Sequence, residues 1–403
     1  MSKQYSKSFT LIELLVVLAL IAILVAILVV ILKPETFFAK ARDNKRIGDL
    51  KNIEKMIEIL RATEFSFKEL KYASSNVVYI SLPDTSATCT NWLSQLPPLP
   101  SGWSYACSAT PTNVDGTGWI PIPFSQFPIL NVTELFIDPI NEPPYYYTFV
   151  AGGSYKLAAK LEVNQLAAIN DGGIEPLIYE AGNDKRLPTP QSGLVGYWSF
   201  DEGQGTIAYD LSGYGNNGIL YKFNWTATSG WTTGKVGGAL IFDGVDDYVQ
   251  IMDNPPLRSW PNGVTVAAWV RSNTDLWNSW GMLVSKRNSF ILHPNGNSKS
   301  ICWYIYDNTN WRCLSYNIPY DIKEWHFYVG TYSENNYLRL YIDGNLVAGP
   351  LGPYGTIASS TGGFTLYIGQ DAGRYFNGLI DEVRLYNRAL SDSEIKALYE
   401  ATK

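Results

Sequence analysis

At 403 residues the chain is too long for one ordinary domain and suits two or three. With 46% hydrophobic and 17% charged residues it describes folded rather than disordered material, and a net charge of −6 gives no basis for a nucleic-acid partner. An aromatic content of 14%, with frequent Gly and Pro, favours β-rich, turn-rich structure.

The first element is the apolar run KSFTLIELLVVLALIAILVAILVVIL at 7–32, in which Glu13 is the one charge after Phe9. A helix over 9–32 spans roughly 36 Å, enough to cross a bilayer core with some tilt. A secretory signal peptide has a shorter apolar core, of about 7–15 residues. A plain anchor leaves Glu13 without a reason, since a carboxylate in such a run asks for a partner. Charge does not settle topology. Lys3 and Lys7 precede the run, whereas Lys33, Lys40, Arg42, Lys45 and Arg46 follow it.

Lys7-Ser8-Phe9-Thr10-Leu11-Ile12-Glu13 resembles the amino-terminal signature of type IV pilins and type II secretion pseudopilins. The resemblance implies a leader at 1–8 cut by a prepilin peptidase between Ser8 and Phe9, with methylation of the new amino group. It gives Glu13 the assembly role of pairing with a neighbouring subunit's amino terminus. Ser8 stands where the family usually has Gly. The implied partners are the membrane and other pilin or pseudopilin subunits. The implied location is a single pass of the cytoplasmic membrane, carboxy-terminal side outside, and then a cell-surface filament.

Beyond Lys33-Pro34 the helix is expected to continue, with Ile47, Leu50, Ile53, Ile57 and Leu60 forming one apolar stripe. Residues 63–137 read as long loops rich in Pro, Gly and Thr. The four Cys fall in two close pairs, Cys89/Cys107 and Cys302/Cys313, which suits disulfides in an oxidising compartment. Zinc is a poor alternative, because neither pair has CxxC spacing and there are only two His, His293 and His326. A hairpin is expected from Tyr145–Val150 and Tyr155–Glu162 around Ala151-Gly152-Gly153-Ser154, with a third strand at Leu177–Ala181. Residues 33–184 are thus expected to form an α+β unit, a long helix with a small antiparallel sheet, which resembles the pilin and pseudopilin head. A linker follows at 185–192, where two prolines interrupt regular structure.

Residues 193–403 carry short β runs punctuated by Gly, the texture of an all-β jelly-roll sandwich. Asp343-Gly344 marks a two-residue hairpin, and Ser391 with Glu394 forms a capping box opening a last helix. If Asp307-Asn308 is a two-residue turn, Cys302 faces Cys313 at disulfide distance. The segments GYWSFDEGQG, DLSGYGNNG, ALIFDGVDDYV, LRLYIDGNLV and NGLIDEVRLYNRALSDSEI resemble the laminin-G-like, concanavalin-A-like fold. That resemblance implies a structural Ca²⁺ held by Asp210, Asn216 and Asp381, an oxygen-ligand set that suits a hard cation.

No catalyst is expected. The E-x-D-x-x-E strand of the related hydrolases is absent, and the adjacent pairs Asp381-Glu382 and Asp246-Asp247 point to opposite faces of a strand. Trp277, Trp280 and Trp311, in or beside loop-like stretches, are the candidate sugar platforms. The combined expectation is a pilus subunit displaying an adhesin or lectin-like module to a glycan or other extracellular ligand. The alternatives are a minor pseudopilin of a type II secretion system and a membrane-anchored carbohydrate-binding protein that does not polymerise.

Overall fold

The computed structural model describes residues 11–32, 34–63, 72–97, 99, 102–151, 153–260, 262–278, 281–333, 337–359 and 363–403, with backbone alone at 23–32 and 34. Ser8, Phe9 and Trp280 lie outside the described residues. Helix α1 (Leu11–Leu32) has 22 residues, among which Glu13 is the one charge. Among residues with described side chains, which stop at Ala22 in this helix, no helix is long and apolar enough to cross a membrane. The backbone of α1 is nonetheless helical to Leu32, about 33 Å at 1.5 Å per residue. From Leu11 to Ile21 its apolar side chains stand in the open. Pro34 opens α2 (Pro34–Thr63), as fits a residue that has no N–H to give to the preceding turn.

The head sheet contains β1 (Val77–Pro83), β2 (Ser104–Ser108), β3 (Tyr147–Ala151), β4 (Tyr155–Lys160) and β5 (Ile178–Gly182), in the order β2-β1-β3-β4-β5. A short helix, α3 (Gln165–Ile169), lies between β4 and β5. Since β1 and β2 run parallel, the sheet is mixed rather than purely antiparallel. Both strands fall where loops were expected. Alternation along Tyr147-Phe149-Ala151, Tyr155-Leu157-Ala159 and Tyr179-Ala181 gives one apolar face, which packs on the buried stripe Leu50, Ile53, Ile57 and Leu60 of α2. Beyond the opposite side of β1, Val78, Ile80 and Leu82 pack with Leu96 of the crossover to β2 and with Tyr105 of β2 itself. The Cys89–Cys107 disulfide staples that crossover.

The 185–192 segment connects the two parts but is clamped rather than loose. Lys156 Nζ bonds Glu180, Thr189 Oγ1 and the Lys185 carbonyl. The Gln191 amide donates to the Tyr146 and Pro144 carbonyls.

Two sheets form the jelly roll. In the first the strands run in the order Asn345–Leu351, Leu338–Ile342, His326–Ser333, Gly263–Ser272, Asn377–Tyr386, Gly238–Asp243 and Gly230–Thr233, with Leu194–Trp198 also pairing with Asn377–Tyr386. In the second the order is Trp311–Asn317, Ser300–Tyr306, Phe290–Pro294, Val284–Lys286, Leu366–Ile368, Tyr248–Ile251, Gly218–Tyr221 and Ile207–Ala208. Their inner faces meet in one core containing Trp198, Phe242, Val266, Phe290 and Trp303. The two-residue turn Asp343-Gly344 has φ of 52° and 74°, the paired positive values of a type I′ hairpin, and Ile342 pairs with Asn345 across it. Ser391 caps α4 (Asp392–Thr402) with a complete capping box.

The outer face of the first sheet is covered. Ala267, Trp269, Phe327, Val329 and Tyr386 pack against Leu390, Ile395 and Leu398 of the carboxy-terminal segment, together with Leu177 of the head. The outer face of the second sheet meets neither the head sheet nor α4 in any described core cluster.

Candidate functional site

Side chains alternate along a strand, so the register of the second sheet determines its outer face. Ile301, Trp303 and Ile305 point into the core, which sends Cys302, Tyr304 and Tyr306 outward. Ile291 faces Tyr304, His293 faces Cys302, and Tyr306 faces Trp311. On the far side Tyr221 faces Tyr248, and Tyr367 lies between Gln250 and Ser285. The face therefore carries aromatic rings where an outward position in a solvated sheet is usually polar.

The rings gather in two patches. In one, Tyr221 and Tyr248 stack at 5.1 Å with 13° between planes, and Tyr248 lies 5.9 Å from Tyr367 and 6.5 Å from Tyr375. In the other, His293 stacks on Tyr304 at 4.8 Å, and Trp311 sits 6.5 Å from Tyr304 and 5.4 Å from Tyr306. Burial holds the His293 imidazole below its ordinary pKa, and its Nδ1 lies 2.7 Å from the Pro294 carbonyl, which suits the neutral ring. Between the patches, Asp371 accepts from Ser285 Oγ at 2.8 Å and from Arg287 Nε at 2.9 Å.

The predicted site residues separate. Trp311 is a half-buried member of the second patch. Trp277 is not a platform: only 1% exposed, it packs its ring on Tyr328 and Phe376 in the sandwich core. Large rings supply most of the burial a sandwich core needs, and this one was taken into the core.

Cys302 and Cys313 are free thiols, and the expected disulfide is corrected. The turn has four residues rather than two, because Asp307 Oδ1 accepts the Thr309 and Asn310 N–H groups while Asn308 takes φ 66°. That shifts the register by two, so Cys313 faces Tyr304 and Cys302 faces Ser315, leaving the cysteines diagonal. Hydrogen bonds from Cys302 and then Tyr304 hold the Cys313 thiol below its ordinary value.

The three expected calcium ligands do not share an environment. Asp210 accepts from the N–H groups of Tyr197, Ser212 and Asn216 and from Ser212 Oγ, so donors occupy both its oxygens. Asn216 gives its side-chain N–H to the Val195 carbonyl and takes one from Asn254. These two residues build the turn, and their oxygens face donors rather than a cation. Asp381 differs. Its Oδ2 accepts from Lys235 and Val236 N–H, but the buried Oδ1 has no hydrogen-bond partner. Burial pushes its carboxyl up to about 8. Gly234 is required beside it, since a Cβ there would lie 2.5 Å from Oδ2. Asp243, Asp246 and Asp247 also cluster, but Asp243 and Asp247 bond the backbone of their own turn.

The Tyr and His members of both patches went unforeseen. Their signal was outward aromatics on strands, as in Ser300–Tyr306, where both faces carry rings.

Comparison with known proteins locates two relationships. Residues 3–29 match the prokaryotic N-terminal methylation motif, and residues 243–396 match the concanavalin A-like lectin/glucanases superfamily. No curated protein matches the chain. Among solved structures, the binding domain of Paraclostridial Mosquitocidal Protein 1 is 16% identical, with a TM-score of 0.42 over 51% of this chain and 52% of that one. Domain 4 of an extracellular arabinanase from Geobacillus stearothermophilus, in complex with arabinotriose, is 20% identical, with a TM-score of 0.40 over 52% and 98%. The binding domain of Botulinum neurotoxin DC, in complex with rat synaptotagmin II, is 14% identical, with a TM-score of 0.39 over 52% of each. The chain thus spans about half the length of the mosquitocidal and neurotoxin domains. It joins a prokaryotic N-terminal methylation motif, of the kind found in type IV pilins, to a concanavalin A-like jelly roll of the laminin G type.

Proposed function

We propose that this chain is a pilin-type subunit of a cell-surface filament that displays a glycan-binding jelly roll. A prepilin peptidase cuts it between Ser8 and Phe9, α1 holds it in the cytoplasmic membrane, and assembly then packs α1 among its copies. The observation that carries the binding half is the outer face of the second sheet, where half-buried rings lie on a side that shares no described core cluster with the head sheet or α4. Sugars offer an apolar C–H face to such rings and hydroxyls to polar neighbours. The methylation motif at 3–29 supports the filament half.

Glu13 tests assembly. A carboxylate in an apolar bundle is held by a cationic partner, and removing it forfeits an ion pair made only in the filament. Glu13→Ala is expected to leave the membrane-bound pool unchanged while lowering the sheared-filament fraction about tenfold or more. Immunoblotting both fractions checks this; normal incorporation of the variant would sink the filament reading.

Asp381 is the residue that fits a structural Ca²⁺, through its unpartnered buried Oδ1. A bound cation supplies charge compensation to a carboxylate that burial otherwise disfavours. At a hundredfold excess over Kd, Ca²⁺ is expected to stabilise the protein by about 2.7 kcal/mol, an effect abolished by EDTA and absent in Asp381→Asn. Equal melting curves for the native protein with Ca²⁺ and with EDTA would remove the ion from this reading.

A further inference from the structure

The geometry points to a binding site for a monovalent copper ion at the edge of the second sheet, held in two-coordinate form between the sulfurs of Cys302 and Cys313. The filament and glycan readings leave both thiols without a role.

Register brings the pair together and keeps it from closing into a disulfide. Cys313 faces Tyr304 and Cys302 faces Ser315, so the cysteines are diagonal neighbours on one face. Diagonal Cα atoms of an antiparallel pair lie about 7–8 Å apart, beyond the roughly 6.8 Å that a disulfide tolerates. The Asp307 carboxylate holds that register, accepting the Thr309 and Asn310 N–H groups and the Arg312 Nε–H. The thiols nevertheless touch. The Cys302 thiol and the Tyr304 hydroxyl both hydrogen-bond to the Cys313 sulfur, and the Cys302 thiol also reaches Asn295 Oδ1 at 3.3 Å. Such a pair has the span for a bridging ion. Two metal–sulfur bonds of about 2.3 Å in line place the sulfurs roughly 4.6 Å apart, whereas an S–S bond draws them to about 2.05 Å.

The ligand set selects the ion, since thiolates favour soft cations. Among the described residues no imidazole, carboxylate or further thiol makes a third ligand with the pair. His293 faces Cys302 but lays its ring on Tyr304 at 4.8 Å and turns Nδ1 to the Pro294 carbonyl. Zinc asks for four ligands and calcium for six or more oxygens, whereas Cu(I) accepts two sulfurs in line. Binding exchanges protons for metal. Both S–H bonds break, two Cu–S bonds form, two protons leave to solvent, and copper keeps its oxidation state. The complex carries one negative charge. The Tyr304 O–H, already directed at the Cys313 sulfur, compensates that charge as a positioning group rather than a ligand. Cys302 is 1% exposed whereas Cys313 is half-buried, so the ion enters on the Cys313 side.

The test titrates Cu(I) into the full-length protein in detergent, under nitrogen with ascorbate, against a chromogenic Cu(I) chelator. Ascorbate keeps copper monovalent and leaves the Cys89–Cys107 disulfide closed. The native protein is expected to take one equivalent, with a thiolate-to-copper charge-transfer band in the ultraviolet, and an excess of Zn(II) is expected not to displace it. Cys302→Ser and Cys313→Ser are each expected to weaken binding about a hundredfold or more, and Tyr304→Phe about tenfold. Should Cys302→Ser fail to fold, Cys313→Ser with a native melting temperature decides alone, because that side chain is half-buried. A native protein that takes no copper, or holds it no more tightly than Cys313→Ser does, overturns the site. So does a thiol titration of freshly purified protein that finds Cys302 and Cys313 already joined.

Discussion

Arg46→Met is expected to destabilise the head by about 3–5 kcal/mol, the cost of breaking a buried ion pair from one side. The Arg46 side chain is 0% exposed and ties α2 to two distant segments. Its Nε and Nη2 fork onto the Asp138 carboxylate at 2.7 and 3.0 Å, while Nη1 reaches Asp43 at 2.9 Å and Glu162 at 2.5 Å. Asp43 is committed elsewhere as well, accepting the N–H groups of Glu162, Val163 and Asn164 after β4. One guanidinium therefore answers several carboxylates, and methionine would fill its stem volume while leaving them without that cation. Arg46→Lys should recover only part of the loss, because an ammonium cannot reproduce the planar fork on Asp138. Denaturant unfolding of the full chain in detergent, followed by far-ultraviolet dichroism, measures both. A methionine variant within about 1 kcal/mol of the native protein would show that the network is no net support. The consequence reaches function, since this cluster fixes the head to α2, the helix that follows α1 in the chain.

What could be read from the sequence was what local rules decide. The stripe Leu50, Ile53, Ile57 and Leu60 predicts its own buried face, and Asp343-Gly344 and Ser391/Glu394 specify their turn and cap within a few residues. What escaped depended on side chains or partners far away. The strand Val77–Pro83 is central only because Tyr147–Ala151 pairs on one side and Ser104–Ser108 on the other, the latter across a crossover that no short-range signal announces. The register at Cys302 turned on the Asp307 carboxylate capping a wider loop than the residue types required. Trp277 and Trp311 look alike in sequence, yet one is core and the other face, because the choice is made by whichever surface closes over them. The aromatic face itself becomes visible only when six strand pairings bring rings from six of seven strands onto one side of the sheet.

Glu394→Gln is expected to uncouple the two modules, lowering stability by about 3 kcal/mol and replacing one thermal transition by two. Glu394 sits in α4 of the jelly roll and receives both Arg388, at 2.8 and 2.9 Å, and Lys160 of head strand β4 at 3.0 Å. Arg388 also donates Nε to the Ser192 carbonyl at 2.6 Å, so the joining segment is held by the same cluster. Around it Leu177 of the head shares an apolar cluster with Leu390, Ile395 and Leu398. Glutamine retains the capping-box role at this position, so the substitution isolates the charge from the helix cap. Burial alone would raise the Glu394 carboxyl, yet Arg388 and then Lys160 hold it well below the usual carboxylate range. With the folded value depressed, the stabilisation is complete above the unfolded pKa of about 4.3 and is lost as pH falls beneath it. The gap between native and Glu394→Gln proteins should therefore be full at pH 7 and shrink in acid. Lys160→Met should cost about 1 kcal/mol or less, because the bidentate Arg388 pair survives it. Calorimetry of the full chain across pH decides the matter: a gap that stays constant from pH 7 to pH 3 would assign the loss to something other than this charge. A single transition in the variant would mean that the shared apolar cluster, not the ion pair, makes head and jelly roll move as one body.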